Sequence, residues 1–271
     1  MSLKLGAATY TYLYASTLDD ALGRLADMGV RACELTLARP HSTADDLDAA
    51  ARRRLAQRLA SLGIEPVALQ PTFLDINLAS LNDGFRQESI RQMLACIEVA
   101  ADLGVGTVVT VPGRMNPLMP LPPELALDRI AGSIAALLPS AERLGVTLGL
   151  ESTPPSLLPD TARLLRLVQR LSHPNAKGTL DVANNFMFES PVAALEAVRP
   201  HLALVHLSDT KRTQWLHAAV GDGEVDFAAV AQTLRTLGYD GVSILETTVP
   251  HGPDDALRRS LAALRPLSWE T

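Results

Sequence analysis

The sequence predicts an α/β fold, a single (β/α)8 barrel, and three observations carry that expectation. An apolar residue, a glycine and an apolar or aromatic residue recur together five times: Met28-Gly29-Val30, Leu62-Gly63-Ile64, Leu103-Gly104-Val105, Leu144-Gly145-Val146 and Leu237-Gly238-Tyr239. Eight short apolar runs alternate with stretches of helical periodicity. The last four runs each end on a strongly polar residue: Glu151, Asp181, His206 and Glu246.

Strands are expected near 3–9, 30–37, 65–70, 107–112, 146–151, 177–182, 202–208 and 242–247. After the first of these, Leu18, Leu22 and Leu25 share a helix face, with Thr17 and Asp20 spaced as a capping-box-like start. Each repeated glycine stands where a helix needs a left-handed residue after its last turn, and the next residue closes the cap. Pro174 and Pro200 stop two further helical runs, because proline cannot continue a helix. Residues 133–144 and 227–237 read as helices by the same periodicity, and the proline-rich piece 112–123 reads as a loop at the barrel mouth. Eight such units in 271 residues fit a barrel that typically needs ~250. An open doubly wound sheet is the alternative, but it often carries a glycine-rich phosphate turn after its first strand. This chain has Thr9-Tyr10-Thr11-Tyr12 there.

The 271 residues, 47% of them hydrophobic, suffice for one domain spanning 1–271 with a sizeable core. No apolar stretch approaches the ~18 residues needed to span a membrane. The N-terminus lacks a basic-then-apolar leader, so a cytoplasmic address is expected. Cys33 and Cys96 are isolated and read as reduced core residues. A net charge of −6 argues against a nucleic-acid backbone as partner.

Side chains two apart on a strand face the same side. Glu151 therefore shares its face with Gly149 and Thr147, and Asp181 with Thr179, while Val146, Leu148 and Leu150 face the helices. Small or polar neighbours suit a crowded barrel interior, and residues at the C-terminal strand ends build the active site of such barrels. Three carboxylates and one imidazole converging there suit one divalent ion, Mn²⁺, Co²⁺, Mg²⁺ or Zn²⁺. Each residue also has a plainer reading. His206 alone would be a hydrogen-bonded structural histidine, Glu246 a helix cap and Asp181 a turn residue. Glu34 reads as a structural hydrogen-bond acceptor, and Lys211 and His217 as loop or surface residues. Trp215, Phe186 and Phe188 either wall the site or pin loops.

The ordered set Glu151, Asp181, His206 and Glu246 resembles the xylose isomerase-like barrel superfamily. The match is close in His206-Leu207-Ser208-Asp209, in 221–227 (Gly-Asp-Gly-Glu-Val-Asp-Phe), in Gly238-Tyr239-Asp240-Gly241 and in Ile244-Leu245-Glu246. The resemblance spans the barrel, is strong from about Gly149 onward, and specifies fold and metal site better than substrate. Endonuclease IV in that group needs extra histidines at the ends of strands three and four. Here those ends read Leu69-Gln70-Pro71-Thr72 and Thr110-Val111-Pro112-Gly113, so the resemblance implies no DNA repair and no cleavage at abasic sites. Ketose 3-epimerases are nearer. They carry an acid and an arginine where this chain has Asp209 and Arg212, and a substrate-contacting histidine where it has Asn184.

By that resemblance Glu151 and Glu246 are ligands that also act as acid and base, and Asp181 and His206 are ligands only. Asn184, Asp209 and Arg212 form the substrate-binding set. Asp209 either holds His206 or Arg212 in place or acts just behind the ligands. The implied enzyme is a metal-dependent isomerase or epimerase of a small sugar, sugar phosphate or related keto-polyol, working through a metal-stabilised enediolate. A lyase acting on a cyclitol or dehydroshikimate-like substrate at the same metal is the alternative. The implied partner is a small carbohydrate-like molecule, with homo-oligomerisation open.

Overall fold

All five repeated glycines adopt the left-handed conformation, with φ of 81°, 64°, 71°, 69° and 68° at Gly29, Gly63, Gly104, Gly145 and Gly238. After each, the next N–H reaches back to close the helix end: Val30 to Leu25, Ile64 to Leu59, Val105 to Ala100, Val146 to Ala141 and Tyr239 to Leu234, at 2.8–3.0 Å. This bond satisfies a carbonyl that the helix terminus would otherwise orphan, and it turns the chain directly into the following strand.

The computed structural model describes residues 2–71, 76–114, 116 and 118–271. The first half of the chain runs β1 (Leu3–Ala8), α1 (Leu18–Asp27), β2 (Ala32–Leu37), α2 (Ala49–Leu62), β3 (Glu65–Pro71), α3 (Asp83–Leu103), β4 (Thr107–Thr110) and α4 (Pro123–Leu144). It continues with β5 (Thr147–Glu151), α5 (Thr161–Leu171), β6 (Ala176–Asp181), α6 (Val182–Phe186), α7 (Pro191–Val198) and β7 (Leu202–Leu207). The last part comprises β8 (Asp209–Lys211), β9 (Gln214–Ala218), α8 (Phe227–Thr236), β10 (Val242–Leu245), α9 (Pro253–Leu264) and β11 (Trp269–Glu270).

Eight parallel strands, β1 to β7 and β10, pair in sequence order, and β10 pairs back onto β1 to close the barrel. Helices run between the strands, so the fold is the expected (β/α)8 TIM barrel. Three features depart from the sequence reading. Strand β11 pairs in parallel with the start of β1, with Leu3 opposite Trp269 and Lys4 opposite Glu270. An antiparallel hairpin, β8–β9, follows β7. Helix α4 begins at Pro123, ten residues before the expected 133, because a proline is tolerated in a first helical turn and the apolar spacing continues back through Ile130, Leu127 and Ala126. Thr72, Met115 and Pro117 of the phrases read above lie outside the described residues.

Strand alternation sorts the barrel as expected. Leu148, Leu150 and Val146 pack into the large cluster shared with the helices, while Ala8, Ala68, Val109, Leu204 and Ile244 form a separate small cluster inside the barrel. Above that plug, the inward residues turn polar. Gly149 is constrained by this crowding, since a Cβ there would press on the Thr179 side chain.

The loop between β9 and α8 is held by one carboxylate. Buried Asp209 accepts N–H bonds from Thr210 (2.9 Å), Gly221 (2.9 Å), Gly223 (2.9 Å) and Val225 (3.1 Å). A Cβ at Gly223 would collide with that carboxylate and with the Thr210 carbonyl. We expect Asp209→Ala to cost at least about 1–3 kcal/mol, because buried donors lose their acceptor. Asp209→Asn, which keeps one acceptor oxygen, should cost less. Urea denaturation of the three proteins checks this, and equal midpoints would refute the anchoring role.

Candidate metal and active site

Glu151 ends β5, Asp181 ends β6, His206 is the fifth residue of β7, and Glu246 follows the last residue of β10. Register brings them level: Asp181 lies opposite His206, and His206 opposite Ile244 two residues before Glu246. Each offers one ligand atom, and these atoms all lie within 4.8 Å of one another. Such a group could hold a metal ion.

The four side chains are buried, at 2%, 0%, 0% and 2% exposure for Glu151, Asp181, His206 and Glu246. Buried carboxylates are costly unless paired or bound to a cation. With fully buried Glu34, four carboxylates crowd two imidazoles, those of His206 and His217. Two atoms of the ligand set, Asp181 Oδ2 and His206 Nδ1, are buried with no hydrogen-bond partner. A cation between them would satisfy both, so the residues fit a divalent ion.

The tautomer of His206 follows from its neighbours. Its Nε2 donates to Glu34 Oε2 at 3.0 Å, which leaves Nδ1 directed at Glu151 Oε1 and Glu246 Oε2, both 3.5 Å away. Carboxylates behind ligating histidines fix the ring in this way. Burial works against a charged His206, but Glu34 and Glu246 outweigh it and raise its pKa well above the usual range.

The two glutamates are pushed apart. Burial raises Glu151 to about 7, and burial likewise raises Asp181. Burial would also raise Glu246, but the His206 and His217 cations and the Gln70 amide outweigh it and lower that carboxyl to about 2. Gln70 Nε2 donates to Glu246 Oε1 at 3.0 Å.

Asn184 sits in the site. Asp181 caps the short helix α6 by accepting from Asn184 N–H at 2.6 Å, which aims the Asn184 side chain inward. Its Nδ2 donates to Glu151 Oε1 at 3.1 Å, and its Oδ1 accepts from Trp215 Nε1 at 2.8 Å. An indole N–H only donates, so Trp215 fixes which end of the amide faces Glu151.

A cavity of about 90 Å³ opens above the cluster, bordered by Glu151, Glu246, Asn184, Trp215, His217 and Tyr10, among others. A larger cavity of about 450 Å³ lies elsewhere, lined by residues such as Leu37, Ile76, Phe85 and Cys96. Among the described residues, the only group that could hold a metal is Glu151, Asp181, His206 and Glu246, which lies at the smaller cavity.

The sequence pattern of xylose isomerase-like TIM barrels matches residues 22–267. The chain belongs to that family. Among its relatives is the uncharacterized protein MJ1311 of Methanocaldococcus jannaschii, 27% identical over 188 residues, which cover 66% of this chain and 64% of the relative. Another is the fructoselysine 3-epimerase of Shigella flexneri, 20% identical over 258 residues, covering 92% and 93% of the two chains. The chain thus spans just under two thirds of the first relative and nearly all of the second. A solved D-tagatose 3-epimerase-like protein superposes with a TM-score of 0.86 at 23% identity, covering 98% and 97% of the two chains. The IolI protein, solved with a zinc atom, superposes with a TM-score of 0.83 at 20% identity, covering 98% of each. At these identities the structural likeness shows the family's barrel.

Asp209 and Arg212, which the resemblance put in the substrate-binding set, make other contacts in the structure, and His217 joins the site. The Asp209 carboxylate faces the 221–225 backbone, with neither His206 nor Arg212 among its bonds. Arg212 is exposed; its guanidinium stacks 4.0 Å over the Phe186 ring and donates to the carbonyls of Phe186 and Glu189. His217, read as a loop residue, borders the cavity. Its Nδ1 lies 3.4 Å from Glu246 Oε2 and 3.9 Å from Asp181 Oδ2, and its Nε2 lies 3.2 Å from Asn184 Oδ1. Burial opposes its charge, but Asp181 and Glu246 outweigh this and raise its pKa to about 9. It stands in a stretch read as loop, four residues before Gly221, where strand periodicity offers no signal of a side chain's direction.

Proposed function

We propose that this chain is a divalent-metal-dependent epimerase or isomerase of a small sugar, sugar phosphate or related keto-polyol. One observation carries the reading: Glu151 and Glu246 border the cavity, whereas Asp181 and His206 lie sealed beneath it. Two members of the ligand set can therefore touch a substrate, and two can only hold the ion. An ion held there would polarise a carbonyl and the adjacent hydroxyl, acidifying the carbon-bound proton between them.

Glu246, kept ionised by His206, His217 and Gln70, takes that proton. Glu151, the other member of the set that borders the cavity, relays a proton from solvent to the carbon, and Glu246 gives its proton up to solvent. Return to the opposite face inverts the centre, and return to the neighbouring carbon interconverts aldose and ketose. Asn184 holds Glu151 and Gln70 holds Glu246 in position. The epimerase activity of the Shigella relative and the zinc in IolI support this chemistry and a divalent ion.

The test is a panel of ketoses, aldoses and keto-cyclitols with Mn²⁺ in D₂O, followed by mass spectrometry and NMR. We expect deuterium at one carbon and a product of unchanged composition. A product lacking one water would replace this reading with a dehydratase. No exchange with any member of the panel would reject both.

A further inference from the structure

We infer that the substrate of this site is small and carries no phosphate: an uncharged polyhydroxy carbonyl compound that packs against Trp215 and Tyr10. The inference rests on the proposed function and narrows its substrate class. It begins with what borders the cavity. Gln70, Asn184, Thr153 and Thr248 supply neutral amide and hydroxyl groups, and Trp215 and Tyr10 supply aromatic surface. No lysine or arginine is among the described residues that line it.

Phosphate recognition favours charge-assisted bonds, above all from the bidentate fork of arginine. Arg212 is the arginine that the resemblance placed in the substrate-binding set. Its guanidinium is stacked on Phe186 and bonded to two carbonyls, away from the lining. Among the described residues that line the cavity, His217 is the one able to carry positive charge, and it is engaged by Glu246 and Asn184. Glu151 and Glu246 border the cavity, and Asp181 and Glu34 lie buried beneath it. A phosphate dianion would meet that concentration of carboxylates, which one divalent ion offsets only in part, with no lysine or arginine among the described lining residues to receive it. Hydroxyl groups meet no such penalty, since the lining amides and hydroxyls both donate and accept. The cavity is also small, about 90 Å³, below the ~300–1,000 Å³ of typical ligand pockets.

The test uses metal-loaded protein and inert probes. Calorimetric titration with xylitol, ribitol and sorbitol is compared with ribitol 5-phosphate and sorbitol 6-phosphate. In parallel, C–H exchange is followed for L-ribulose and L-ribulose 5-phosphate. We expect at least one neutral polyol to bind, and its phosphate ester to bind at least tenfold more weakly. Trp215→Ala should weaken the neutral probe about tenfold with metal content unchanged, and Tyr10→Ala serves as the second variant should the first not fold. A phosphate ester that binds as tightly as its parent, or no binding by any neutral polyol, would overturn the inference. Binding of neutral polyols without exchange of any sugar would instead reject the epimerase reading and leave this inference standing.

Discussion

Glu246→Gln is expected to bind its metal nearly as the parent does while losing ~10²–10⁴-fold in exchange of the substrate C–H proton with D₂O, the range a general base contributes. The substitution keeps an oxygen within reach of the ion and of the Gln70 amide, which lies 3.0 Å from Glu246 Oε1. It removes the capacity to accept a proton. Glu246 is placed to act as the base because it borders the cavity and is oriented by the Gln70 amide. Metal analysis and exchange must be run on the same preparation. Exchange at the parental rate with full metal content would make Glu246 a ligand alone and remove the two-glutamate mechanism.

The second large effect concerns the ion itself. His206→Ala deletes the one imidazole of the ligand set and should abolish stoichiometric binding of one divalent ion per chain. Glu34→Gln leaves all four ligands but loses the carboxylate that orients His206 from 3.0 Å. It should weaken binding ~10–100-fold, the usual effect of losing a partner behind a ligand. Affinity should also climb with pH. Glu151 is raised to about 7, Asp181 is raised, and His206 is raised well above its usual value. In the metal-free protein Glu151 therefore holds its proton up to about neutral pH and His206 holds its own above its usual range, and an ion must displace them. Protons are released on binding, so the apparent Kd falls as pH rises through 7 and increases on acidification. Competition against a chromophoric chelator at several pH values measures this. A flat profile would mean that the ion binds elsewhere.

The barrel and the cluster of four polar residues could be read from the chain because both are written in local pattern. A glycine after an amphipathic run demands a left-handed cap whatever else surrounds it, and all five take one. Strand alternation put Leu148 and Leu150 outward and Glu151 inward before any contact was known, and the packing follows that division. What lies beyond the strand ends was less legible. Loop direction is set by partners distant in sequence. His206 meets Glu34 across 172 positions, and Asn184 meets Glu151 across 33. No periodicity encodes such pairs.

The sequence by itself determined the succession of helices and strands, the closed barrel and the four polar residues at its C-terminal rim, because short-range propensity and side-chain alternation govern each of these. Only the tertiary structure decided what surrounds that rim. The hairpin after β7 carries Trp215 and His217 over the cluster, where they engage Asn184 and Glu246. The same hairpin leaves Arg212 exposed at its turn against Phe186, and Asp209 is taken up by the backbone of 221–225. The reason is physical. A loop side chain goes where desolvation, hydrogen bonding and charge are satisfied together, and those terms depend on groups that adjoin it only once the barrel has closed.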